Sequence, residues 1–79
     1  MKRLHNILIK VLEVKEDDIT DDMSPANVET WDSFNGLMLV SELESTFGVK
    51  FTMQEITAVQ NVRDITEVLR RHGVELSEE

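Results

Sequence analysis

From Asp32 to Gly48 the chain reads DSFNGLMLVSELESTFG, and the fold class turns on this stretch. Phe34, Leu37, Val40, Leu43 and Phe47 recur at helical steps. Asp32 and Ser33 stand where an N-cap belongs, and Gly48 follows the last periodic residue as a stop. The spacing predicts a helix over 33–47. Leu39 and Met38 widen its apolar surface beyond one stripe. Gly36 falls in the first turn, where a glycine either admits a close neighbour or is a neutral accident near a helix end.

Upstream, Leu4, Ile7, Leu8, Val11 and Leu12 form a stripe at i, i+3, i+4, i+7 and i+8, which predicts an amphipathic helix over 2–14. Between 15 and 32 the periodicity is lost in a polar, acidic stretch with Pro25, read as a long ordered loop anchored by Ile19, Met23 and Val28. Downstream, Thr52 and Glu55 have capping-box spacing and open a short helix over 52–58, with Ile56 and Val59 able to face inward. Asn61 caps a last helix over 62–72, which carries Val62, Ile65, Val68 and Leu69 and ends on Arg70, Arg71 and Gly73. The expectation is an all-α fold: a small four-helix bundle of three main helices and one short one. Its domain covers 1–73, and 74–79 forms an acidic, mobile tail without a core-facing pattern.

The chain has 79 residues, no cysteine, and 16 acidic against 8 basic side chains, for a net charge of −8. A domain of this size buries on the order of 8,000 Å² on folding, which leaves little room for a large catalytic cleft, so no enzyme activity of its own is expected. Without cysteine there is neither a disulfide framework nor a thiolate metal site. The negative charge disfavours nucleic acid and anionic membrane as partners and favours proteins with basic surfaces. Lys2 and Arg3 precede an apolar stretch, but Lys10 interrupts it and no small-residue cleavage site follows, which argues against a signal peptide and for a cytoplasmic protein.

Ser33 lies at the junction of the long loop and the central helix, where free N–H groups and the helix dipole favour an anion such as a phosphate. Taken alone, a serine beside an aspartate at a helix start is usually a cap. A serine-hydrolase reading has little support, since His5 and His72 lie near the two ends of the chain and no glycine pattern marks an oxyanion loop. Asp18, Thr20, Asp22, Ser24 and Glu29 match a calcium-loop spacing, but Met23 stands where that loop needs glycine and Pro25 follows. A solvated acidic loop without a specific metal is expected. Trp31, the single tryptophan, directly precedes the triplet and is expected to pin the loop end by its bulk, with flanking a group carried on Ser33 as the other reading.

From Leu4 to His72 the sequence resembles the acyl carrier protein family. The likeness rests on the first helix, the acidic loop with Ile19 and Thr20, and the triplet Asp32-Ser33-Phe34. It continues through a second helix ending in Glu44 and Phe47, the Phe51–Ile56 segment, and Val62 to Ile65 at the start of the last helix. The resemblance implies that Ser33, flanked by Asp32, is esterified by 4'-phosphopantetheine, whose thiol carries acyl groups as thioesters for a fatty acid, polyketide or specialised acyl pathway. It implies as partners a phosphopantetheinyl transferase and enzymes that load and process the acyl group through basic or mixed basic and apolar patches. The carrier itself is expected to be a monomer.

The same resemblance makes the second helix and the start of the third the face read by partners: Phe34, Asn35, Met38, Glu42, Glu44 and Ile56. Two positions depart from the fatty-acid type, with Asn35 where an acid is common and Met38 where glutamate is common, so this face is less charged near the serine. Met38 either contacts a partner or widens the core. Phe34, Leu37, Ile56 and Val59 either line an interior that shelters a short acyl chain or are simply core. An aminoacyl or peptidyl carrier of the D-alanyl type and an unmodified helical interaction module are the alternative functions.

Overall fold

A computed structural model describes residues 2–76. Four α-helices follow one another: α1 over Lys2–Leu12, α2 over Ser33–Phe47, α3 over Met53–Ala58 and α4 over Val62–Arg71, with a single 3₁₀ turn at Glu16–Asp18 in the long first loop. No strand occurs among the described residues, and the expected all-α architecture of three main helices and one short helix is what the chain forms. No described helix is long and apolar enough to cross a membrane.

The α1 stripe packs as its periodicity predicts, with Leu4, Ile7, Leu8 and Leu12 all buried. From α4, Val62, Ile65, Val68 and Leu69 close over them, and α2 contributes Leu39 and Leu43. The helix expected over 2–14 stops at Leu12 because Glu13 turns left-handed, at φ 57°. The freed carbonyl of Leu12 accepts the Thr30 hydroxyl at 2.5 Å, so the far end of the loop caps the first helix.

The loop is held at several points. Met23 is buried, while Ile19 and Val28 are half-buried against the core. Its backbone also caps α4: Val62 N–H donates to Met23 O at 3.0 Å and Arg63 N–H to Asp21 O at 3.1 Å. Asn61 Oδ1 accepts from Asp64 N–H at the same helix start. On α3, Thr52 and Glu55 form the reciprocal capping box that their spacing predicts.

Two sequence expectations are corrected. The stripe drawn through Phe34 and Leu37 does not face the core: these residues are 69% and 64% exposed, and the inward pair on α2 is Leu39 and Leu43. At about 100° per residue, nine residues place Phe34 on the side of the helix opposite Leu43, a drift that repeated steps of three conceal. The segment after Gly73 does carry core-facing residues. Gly73 N–H donates to Arg70 O and Val74 N–H to Leu69 O, a Schellman turn with Gly73 at φ 85°, which sends the chain back over the bundle. Val74 packs on the core and Leu76 is only 2% exposed. The remainder of the expected tail, residues 77–79, lies outside the described residues.

Candidate functional site around Ser33

The corner where the long loop enters α2 is fixed by a relay of hydrogen bonds. Thr30, whose hydroxyl caps α1, accepts Asn35 Nδ2 on its carbonyl at 2.7 Å. Asn35 N–H donates to Asp32 Oδ1 at 2.8 Å, and Gly36 N–H to Asp32 O at 2.8 Å. Asp32 is extended, at φ −104° and ψ −174°, and is the N-cap of α2. The indole of Trp31 is buried beneath this turn at 6% exposure, as its bulk predicts, and Trp31 N–H donates to Val28 O.

Ser33 is the first residue of α2 and is exposed. Two of the four first-turn amides, those of Asn35 and Gly36, are occupied by Asp32, whereas those of Ser33 and Phe34 have no acceptor within the helix. No acidic side chain follows in that turn. An esterified phosphate on the Ser33 oxygen would therefore meet two amide donors, the positive end of the helix dipole and open solvent. The residues present fit such a group.

The other positions expected at this face divide by environment. Phe34 is open to solvent, and Met38 is 40% exposed, beside Leu37 on the same outward side. Asn35 is half-buried and spent on the relay, so its departure from an acid has a structural cause: a carboxylate has no proton to donate to the Thr30 carbonyl. Glu42 pairs with Lys10 Nζ at 3.3 Å across α1 and α2. Glu44 accepts Phe51 N–H on Oε2 at 2.7 Å, so it ties the end of α2 to the start of the α3 segment. Ile56 is half-buried and packs against the core.

Beside Ser33 a cavity of about 170 Å³ runs between α2 and α3, walled by Trp31, Gly36, Leu37 and Leu39 on one side and by Phe51, Ile56 and Val59 on the other. Leu37, Ile56 and Val59 were among the interior candidates, and Phe34 is not part of the wall. From its place directly before the triplet, Trp31 was read either as a pin for the loop end or as a flank to the arm, and it is both buried and part of the cavity wall beside Ser33. A Cβ built on Gly36 would stand 3.7 Å from Trp31 Nε1, ordinary contact, so no backbone or side chain crowds the glycine.

At the far edge of α3, His72 Nε2 lies 3.1 Å from both carboxylate oxygens of Glu55, and its ring stacks on Phe51 with centroids 5.9 Å apart. The Glu55 carboxyl is held below the usual glutamate range, first by the Thr52 N–H it accepts and then by His72. In the acidic loop, Asp22 gives its carboxylate to Arg63 at 3.2 Å and its carbonyl to Asn27, and no group of three or more His, Asp or Glu stands together as a metal site among the described residues.

No curated protein matches the chain. A family model does: the phosphopantetheine attachment site matches residues 2–69, from the start of α1 to Leu69 in α4. Carriers of this kind are in general not catalytic themselves and are met by phosphopantetheinyl transferases and by the enzymes that act on their cargo. With most of its length matched and its four helices folded about an open serine, this chain belongs to the phosphopantetheine attachment site family, carrier proteins whose cofactor is a covalently attached 4'-phosphopantetheine arm.

Proposed function

We propose that the chain is an acyl carrier whose arm is anchored on Ser33. One observation supports this above the others: Ser33 is an exposed hydroxyl at the first position of a helix whose cap is already satisfied by Asp32, so it is free for modification. In the transfer, the Ser33 oxygen attacks the phosphorus of coenzyme A that bears the pantetheine. The pyrophosphate P–O bond breaks, adenosine 3',5'-bisphosphate leaves, and the hydroxyl proton passes to a base of the transferase. The arm supplies the thiol that this cysteine-free chain lacks.

The chain's own residues do the remaining work. Asp32 and Asn35 hold the helix start, and the exposed Phe34 and Met38 offer a contact surface to partner enzymes. Tethering turns each reaction of the cargo into an encounter between proteins at high effective concentration. The net charge of −8 favours a monomer that attracts basic partner surfaces, in a fatty acid, polyketide or specialised acyl pathway of the cytoplasm. Incubation with coenzyme A and a promiscuous phosphopantetheinyl transferase, read by intact mass, tests the proposal. The wild type gains one arm and Ser33→Ala gains none. A wild type that stays unmodified defeats the carrier reading, and an arm on Ser33→Ala defeats the choice of anchor.

A further inference from the structure

Asn35 and Gly36 form an Asn-Gly pair, a sequence that can modify itself in water. The Gly36 amide nitrogen gives its proton to base and attacks Asn35 Cγ. The Cγ–Nδ2 bond breaks, the side-chain nitrogen takes a proton from water and leaves as ammonia, and a cyclic succinimide closes. Water then opens the ring at one of its two carbonyls, which leaves an aspartate or an isoaspartate. Asn6, Asn27 and Asn61 precede Ile7, Val28 and Val62, whose branched side chains crowd the attacking nitrogen, whereas glycine leaves it open.

The folded corner keeps the reacting atoms apart. Gly36 N–H is spent on Asp32 O at 2.8 Å, along the helix axis and away from the Asn35 side chain. Asn35 Nδ2 is spent on Thr30 O at 2.7 Å, and Asn35 N–H on Asp32 Oδ1 at 2.8 Å. Cyclisation needs the bonds of Gly36 N–H and Asn35 Nδ2 broken, and so needs the first turn of α2 to open. We propose that Asn35 and Gly36 are a self-modification site gated by that turn: closed, it preserves the asparagine, and each opening exposes it to irreversible loss of ammonia. The product cannot rebuild the corner. An aspartate lacks the donor to Thr30 O, and an isoaspartate lengthens the main chain within the turn that presents Ser33. The modified chain is thereby retired from arm loading; this last step rests on the carrier reading, whereas the site and its gate do not.

Peptide mapping by mass spectrometry, with chromatographic separation of aspartate from isoaspartate, follows every asparagine of the purified protein in mildly alkaline buffer with and without denaturing urea. In urea Asn35 converts while Asn6, Asn27 and Asn61 persist, and Gly36→Ala suppresses the conversion. A Cβ on Gly36 stands 3.7 Å from Trp31 Nε1, an ordinary contact, so that variant keeps the fold. In buffer the wild type converts roughly ten-fold or more slowly than in urea. Asp32→Ala, which removes the acceptor of Asn35 N–H, converts several-fold faster than wild type in buffer and at the same rate in urea. Where that variant does not fold, wild type in stepped urea serves, and its conversion rises no later than the change in Trp31 emission. Modified and unmodified chains, separated by charge, are then offered to the promiscuous transferase with coenzyme A, and the modified fraction loads several-fold more slowly.

Equal rates in buffer and in urea, or no acceleration in a folded Asp32→Ala, overturn the gate. A reaction in urea that spares Asn35, or takes the other asparagines equally, overturns the site. Equal loading of the two fractions overturns the retirement step and leaves the carrier reading intact. An unmodified fraction that accepts no arm overturns the carrier reading while the site and its gate stand.

Discussion

Replacing Asn35 by aspartate restores the acid that carriers of the fatty-acid type commonly have after the triplet, and here it should harm the protein. Asn35 Nδ2 donates to the Thr30 carbonyl at 2.7 Å in a half-buried position. Aspartate removes that donor and sets a carboxylate against a carbonyl oxygen left with only the Asp32 N–H, at 3.1 Å, a change that costs about 1–3 kcal/mol. Against it, an acid in the first turn of a helix contributes about 0.3–1 kcal/mol through the dipole. At the middle of both ranges the net loss is about 1.3 kcal/mol, or a fall of roughly 5–10 °C in melting temperature for a chain of this length. Urea unfolding followed by Trp31 emission reads it directly, because the indole lies under the affected turn. Asn35→Ala, which loses the bond without adding charge, should fall between wild type and Asn35→Asp. As pH drops through the carboxylate range, Asn35→Asp should recover relative to Asn35→Ala, since a protonated aspartate donates again. A variant as stable as wild type at neutral pH would show that the Thr30 bond contributes nothing and that the dipole governs the site.

Truncating Leu76 to alanine should destabilise the fold by about 2–4 kcal/mol, although it lies past the last helix, because its side chain is buried in the core; an unchanged urea midpoint would show that the segment does not dock. Phe34→Ser should leave stability within about 0.5 kcal/mol of wild type, since the ring faces solvent, and a large loss in a thermal melt would return it to the core. The depressed carboxyl of Glu55 gives stability that is complete above the ordinary glutamate range and lost as pH falls through the lowered folded value. Glu55→Gln should therefore flatten the acid limb of a stability-against-pH profile, and a profile that superposes on wild type would contradict the shift.

The starts of α2, α3 and α4 and the stops of α2 and α4 were legible because each carries its own local chemistry, with Asp32, Thr52 and Asn61 as caps and Gly48 and Gly73 in the left-handed conformation at the ends; the stop of α1 was not, because there Glu13 takes that conformation without being a glycine. The α1 and α4 faces were legible because their stripes return at both three and four residues. On α2 nearly every position of the first two turns is apolar or neutral, so periodicity alone did not say which side faces inward, and Leu39 decides it only through contact with the other helices. The place of Ser33 at the exposed start of α2 was legible from the cap spacing. The role of Asn35 was not, because its acceptor is a backbone carbonyl brought near by the loop. Leu76 was missed for a similar reason, since a single apolar residue after a turn has no period to reveal it.

The long loop caps the end of α1 through Thr30 and the start of α4 through the Met23 and Asp21 carbonyls, so it settles only when both helices are in place. Thr30 also holds Asn35 through its carbonyl, so a disturbance at the far end of α1 is passed to the corner that carries Ser33 through two hydrogen bonds of one residue.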